Sequence, residues 1–92
     1  MQLTVELFGL ARRLSGEKEV TVEVSGEATL RDVVVALAAR FPAFLGPLVV
    51  PGTYDLVEPY FFNYDGRRAA RSLEEKPKEN DRLLLFFVTL GG

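Results

Sequence analysis

The run Leu83-Leu84-Leu85-Phe86-Phe87-Val88 constrains this chain more than any other segment, because its six apolar residues are continuous rather than alternating. A strand with apolar side chains on both faces belongs at the centre of a sheet, with neighbours on either side. The strand is expected from Arg82 to Thr89, and only Leu90, Gly91 and Gly92 follow it.

Flanking strands are easy to find. Leu3, Val5 and Leu7 point one way and Gln2, Thr4 and Glu6 the other, so residues 2–8 read as a strand with one buried face, closed by Gly9. Val20, Val22 and Val24 repeat the period against Glu19, Thr21 and Glu23 over residues 19–25, and Ser15-Gly16-Glu17-Lys18 supplies the turn of an antiparallel hairpin. Tyr60-Phe61-Phe62-Asn63-Tyr64 is a short aromatic strand followed by the turn pair Asp65-Gly66, and Leu73 is placed to anchor the next loop in the core.

One segment has the helical period instead. Leu30, Val33, Val34, Leu37, Ala38 and Phe41 recur at three- and four-residue steps, with Arg31 and Arg40 outside. Thr29 stands at the N-cap and Asp32 three residues on, a variant of the capping box, and Pro42 ends the helix near Phe41. Residues 43–59, punctuated by Pro47, Pro51 and Pro59, read as an irregular loop with room for one short helical turn.

Strand, strand, helix, strand, strand within 92 residues gives one domain spanning residues 1–92. It is of the α+β class: a four- or five-stranded mixed sheet with one main helix packed across it, arranged as a β-grasp. That arrangement requires the last strand to lie beside the first and parallel to it, with hairpin and helix forming the crossover.

Composition narrows the chemistry. The chain has no Cys and no His, which removes thiol nucleophiles, imidazole bases, disulfides and nearly all zinc or haem ligation. A formal net charge of -2 gives no electrostatic footprint for nucleic acid. The alternating start, Met1-Gln2-Leu3-Thr4-Val5-Glu6, carries neither a basic leader nor a long apolar segment, so no membrane partner and a cytoplasmic location are expected. No nucleophile and base stand at suggestive spacing, and Glu74 and Glu75 read as surface.

Fold building does not explain Gly91-Gly92. Glycine contributes no side chain and costs backbone entropy, so it is used where a positive φ or a close approach is needed. At the end of the chain neither a turn nor a cap requires it, which leaves three readings: chance occurrence, the small and disordered residues common at termini, or an extended tail without Cβ atoms, with 91–92 as its flexible end, that threads into a narrow site on another protein.

The order of these segments resembles the ubiquitin-like sulfur carriers of the MoaD/ThiS-like family, which includes the molybdopterin synthase small subunit and the thiamine-pathway carrier. The resemblance runs through Val5-Glu6-Leu7-Phe8, the helix entry Ala28-Thr29-Leu30-Arg31-Asp32-Val33, Asn63 after the third strand, Asn80-Asp81-Arg82 before the last strand, and Gly91-Gly92. It implies a carrier that is not itself an enzyme and binds no cofactor. An ATP-dependent activating enzyme of the ubiquitin-activating type would adenylate Gly92. A sulfur donor would displace AMP to leave a thiocarboxylate, and a sulfur-accepting enzyme such as a molybdopterin synthase large subunit would take the sulfur. Family members often carry a Gly-Asp turn before the last strand and Pro with small residues before the glycines, where this chain has Asn80-Asp81 and Thr89-Leu90. Leu90 before the glycines also resembles ubiquitin-type modifiers, in which the activated carboxylate is joined to a lysine. A plain β-grasp interaction module is the third alternative.

Two further groups are candidates for partner contact. With the helix over one face of the sheet, either Leu84, Phe86 and Val88 or Leu83, Leu85 and Phe87 occupy the other, and Phe8 shares that face. The alternative is that the 43–59 loop folds over it. Arg67, Arg68 and Arg71 form a small basic cluster, read either as a docking site for an acidic activating enzyme or as a solvated loop.

Overall fold

β1 (Gln2–Leu7) pairs antiparallel with β2 (Glu19–Glu23), from Gln2↔Glu23 to Glu6↔Glu19, and parallel with β5 (Arg82–Phe87), from Thr4↔Arg82 to Leu7↔Leu85. On its other side β5 pairs antiparallel with β3 (Tyr60–Tyr64), whose outer edge carries the short β4 (Arg68–Ala69). The sheet order β2-β1-β5-β3-β4 therefore puts the apolar run at the centre and parallel to the first strand, as the sequence predicts. These features come from a computed structural model, which describes residues 1–88.

The α2 helix (Leu30–Arg40) crosses one face of the sheet. Its capping box is complete: the Thr29 amide donates to Asp32 Oδ2 at 2.9 Å, and the Asp32 amide to Thr29 Oγ1 at 3.3 Å. The 70–76 loop completes the cap, because the Leu30 and Arg31 amides donate to the carbonyls of Glu75 and Leu73, each at 2.9 Å. Helix amides that would otherwise lack partners thus tie α2 to the approach to β5.

Between helix and sheet lie Leu3, Val5, Leu7, Phe62, Leu83 and Leu85 from the strands and Leu30, Val33, Val34 and Leu37 from α2, none more than 1% exposed. Burying each such side chain contributes roughly 1.5–3 kcal/mol relative to leaving it in water. Phe44, Leu48 and Val49 of the irregular loop join the same cluster, and the loop opens with a 3₁₀ turn at Pro42–Phe44. Leu73 packs against the cluster as expected.

Several boundaries differ from the sequence reading. The β1–β2 connection is more than a turn: α1 (Leu10–Ser15) occupies it, with Ala11 fully buried and Gly16 at φ 74 capping its end, its amide donating a hydrogen bond to the Arg12 carbonyl at 2.8 Å. Six residues make fewer than two helical turns, and packing rather than intrinsic propensity holds so short a helix, which is why it leaves little periodic trace. Asn63 lies within β3 rather than after it, Phe8 lies just past the end of β1, and Arg68 belongs to a strand rather than a loop.

Candidate functional site

The register decides which residues of the apolar run face the helix. Leu83 and Leu85 are fully buried beneath α2, so Leu84 and Phe86 point to the opposite face, where both are partly exposed. Phe86 sits between two other rings there: Phe8 lies edge-on at 5.1 Å and Phe61 edge-on at 6.1 Å. Arg12 places its guanidinium 5.5 Å from the Phe8 ring centre. The buried residues of the 43–59 loop go to the helix-side core, and the core cluster does not include Phe8, Phe61, Leu84 or Phe86. The open face is thus an aromatic patch at the end of β5 from which the chain runs toward its C-terminus, and Val88 just beyond is 58% exposed.

Ionic groups frame this patch at the start of β5. Arg82 reaches Glu19 at 3.0 Å and Glu6 at 3.5 Å, and the hydrogen bond to Glu19 holds the guanidinium pKa above its ordinary value. The bridge ties the three neighbouring strands β2, β1 and β5 together.

Phe61 was not legible as part of the patch until its register partner, Phe86, was known. Its alternation against the buried Phe62 is the sequence signal that could have found it.

The arginine cluster is elsewhere. Arg68 pairs in register with Tyr64, lies 4.4 Å from that ring and bonds Glu75 at 3.2 Å, on the helix side of the sheet. Arg67 is exposed at the β3–β4 turn, and Arg71 is exposed beyond β4, where with Arg68 and Glu75 it borders an open cleft. Arg68 and Arg71 therefore come together, and Arg68 does not share a face with Phe8 and Phe86.

Glu75, read from the sequence as surface, is half-buried. It accepts hydrogen bonds from the Arg71 amide at 2.5 Å, the Tyr64 hydroxyl at 3.1 Å and Arg68 at 3.2 Å. The Arg71 amide, aided by Tyr64 and Arg68, holds its carboxyl below the usual range, while burial and then Glu75 push Tyr64 up to about 12. No sequence signal marks Glu75, since its partners are a backbone amide and side chains from other elements. Arg31 plays a similar part: it bonds the Thr53 carbonyl and Asp55, each at 2.7 Å, and Glu74 at 2.8 Å. It thereby joins the walls of a cleft of about 450 Å³, and its charge is already matched by two carboxylates.

Leu90, Gly91 and Gly92, the residues to which the sequence assigns the chemistry, lie outside the described residues. Among the described residues no three His, Cys, Asp or Glu side chains are grouped to hold a metal ion, and no helix is long and apolar enough to cross a membrane.

A mixed five-stranded sheet with a helix across one face and the last strand parallel to the first defines a ubiquitin-like β-grasp protein. No family model and no curated protein matches the sequence. Among solved structures, the chain is similar to SAMP1, the small archaeal modifier protein 1 of Haloferax volcanii, with 28% identity over 100% of both chains and a TM-score of 0.83. The putative molybdopterin converting factor subunit 1 of Pyrococcus furiosus shares the fold at 24% identity, 96% coverage of this chain and 98% of that one, and a TM-score of 0.74. So does a chain of the Amycolatopsis orientalis BexX/CysO complex, at 23% identity, 98% and 99% coverage, and a TM-score of 0.70. The chain thus resembles small ubiquitin-like proteins, of which the 28% identical one is a modifier by name.

Proposed function

We propose that this chain is a sulfur carrier whose Gly92 carboxylate is activated and converted to a thiocarboxylate for cofactor biosynthesis, most simply of the molybdopterin type. A carboxylate oxygen attacks the α-phosphate of ATP in the activating enzyme, pyrophosphate leaves, and the acyl-adenylate forms. Sulfide then attacks the acyl carbon, AMP leaves, and the C-terminal thiocarboxylate so formed passes its sulfur to an accepting enzyme. The carrier holds no cofactor of its own in this scheme; ATP belongs to the activating enzyme.

The observation that carries the reading is the placement of β5: a central strand, gripped on both sides by pairing, runs directly toward Gly91-Gly92 beside an open aromatic face. Phe8, Phe61, Leu84, Phe86 and Val88 offer the activating enzyme a docking surface at the end of β5, and Leu90 and Gly91 thread into its site. Arg67 and Arg71, exposed beyond β3, suit an acidic rim on such a partner.

A second reading has specific support. The 28% identical neighbour is a modifier by name, so the same activated carboxylate could instead be attacked by a lysine amine, forming an isopeptide. The two readings share their first step and divide at the acceptor.

Intact mass spectrometry after incubation with an activating enzyme, ATP and a sulfide source tests the first reading. The expected result is a mass gain equal to exchanging one oxygen for sulfur, absent from a Gly92-deleted chain. No gain, with the enzyme competent on a control carrier, rejects sulfur carriage. Diglycine-tagged lysines in cells making the protein would then favour the modifier, and no change on capping the C-terminus would leave a simple interaction module.

A further inference from the structure

We infer that Gly9, Tyr60 and Phe87 form a socket that fixes how the chain leaves the sheet at Val88, and that they are positioning residues for delivery of the C-terminal carboxyl. The inference deepens the carrier or modifier reading above and rests on it for its consequence, though not for its geometry.

Pairing with β1 ends at Leu7↔Leu85 and pairing with β3 ends at Tyr60↔Phe87, so Phe87 is the last residue of β5 held by the sheet. Its side chain is held as well. The Phe87 and Tyr60 rings lie 5.2 Å apart, and both press on Gly9 so closely that a Cβ there would stand 2.6 Å from Phe87 Cε1 and 2.8 Å from the Tyr60 hydroxyl. Gly9 also has φ 56, a conformation that side chains disfavour, so space and backbone both demand glycine at this corner. Tyr60 is fixed in turn, because its hydroxyl accepts the Leu10 amide at 2.8 Å, at the start of α1.

The neighbouring residue is gripped from the opposite face, where Phe86 lies between Phe8 and Phe61. The end of β5 is therefore held on both faces, and Val88 follows with its side chain mostly in solvent. Three different parts of the chain, the β1–α1 corner, the start of β3 and the end of β5, meet at this socket. Beyond Leu85 the strand is paired only with β3, so the ring contacts at the Gly9 corner hold its end on the side that β1 has left. A tail that must enter a partner's site with its carboxyl correctly placed needs a fixed point of departure, since a misplacement of about 1 Å can cost on the order of a hundredfold in rate.

The test uses the full chain with Gly9→Ala, Phe87→Leu and Tyr60→Phe. Two quantities are read: the ¹⁵N order parameter of the Val88 amide, and the adenylation rate with a competent activating enzyme, separated from affinity for that enzyme. In folded Gly9→Ala the Val88 order parameter is expected to fall from about 0.85 toward about 0.6. Adenylation is expected to slow by about tenfold or more at unchanged affinity. Tyr60→Phe, which keeps the ring and loses the hydroxyl, should show the same effects more weakly. A folded Gly9→Ala chain with native Val88 order and native adenylation overturns the inference. Should Gly9→Ala fail to fold, Phe87→Leu is judged by the same two readouts. If the unaltered chain is never adenylated, the functional reading fails, while the order parameter of Val88 still decides whether the socket exists.

Discussion

The two faces of β5 begin from nearly the same residue types and end in different environments. Leu83 and Leu85 are fully buried under α2, whereas Leu84 and Phe86, one position along, are partly exposed, with Phe86 set between Phe8 and Phe61. Hydrophobicity alone therefore does not say what a residue is for; the side of the sheet does. One face holds the domain together, and the other is the face proposed above to receive a partner.

That division can be broken from either side. The largest effect is expected for deletion of Gly92, which should abolish carboxyl activation while leaving the thermal unfolding curve unchanged; any activity remaining in an adenylation assay would count against the tail as the reacting group. Leu85→Ala attacks the covered face and should cost about 2–5 kcal/mol of stability, read by denaturant unfolding. Phe86→Ala attacks the open face and should do the reverse. Losing its two edge-on ring contacts costs about 0.5–1.5 kcal/mol of stability for each pair, but affinity for the activating enzyme should also fall by about 2 kcal/mol or more, measured by calorimetry, which Leu85→Ala should leave unchanged. Equal losses of stability from Leu85→Ala and Phe86→Ala would erase the contrast between the faces.

Smaller effects sharpen the boundary between fold and surface. Thr29→Ala should remove about 1 kcal/mol through the lost cap, without altering partner affinity. Glu75 contributes through its depressed carboxyl pKa. The folded chain holds that proton less tightly than the unfolded one, so the stabilisation is complete above the ordinary glutamate value of 4.5 and fades as pH falls through the lowered folded value. Glu75→Gln should therefore flatten the acid limb of a stability-against-pH curve, and an unchanged limb would remove Glu75 from its role in fastening β4 and its loop.

Much of the fold was legible because its main elements have strong local periods. Leu3, Val5 and Leu7 alternate, Leu30 to Phe41 step around one helical face, and Leu83 to Val88 do neither, which places them at the centre. The short elements were not legible for equally physical reasons. Gly9 offers no capping side chain to announce α1, and Arg68–Ala69 forms an edge strand whose residues are exposed and polar or small. At the candidate site, alternation put Phe8 on the open face and left two sets for the last strand, between which the register and burial choose Leu84 and Phe86, while Gly91 and Gly92 lie outside the described residues. Gly9, Tyr60 and Glu75 were not legible, because each owes its role to atoms from distant segments: Phe87 against Gly9, Leu10 N–H on Tyr60, and Arg71 N–H on Glu75. Pairings of that kind carry no period.

The central claim is that the open face of β5 receives the partner that activates the tail. Amide and methyl shift mapping of the labelled chain with an activating enzyme tests it most directly. The account expects the perturbations to centre on Phe8, Phe61, Leu84, Phe86 and Val88 and to spare Val35 on the outer side of α2. Perturbations centred on α2, with the aromatic face unmoved, would contradict it.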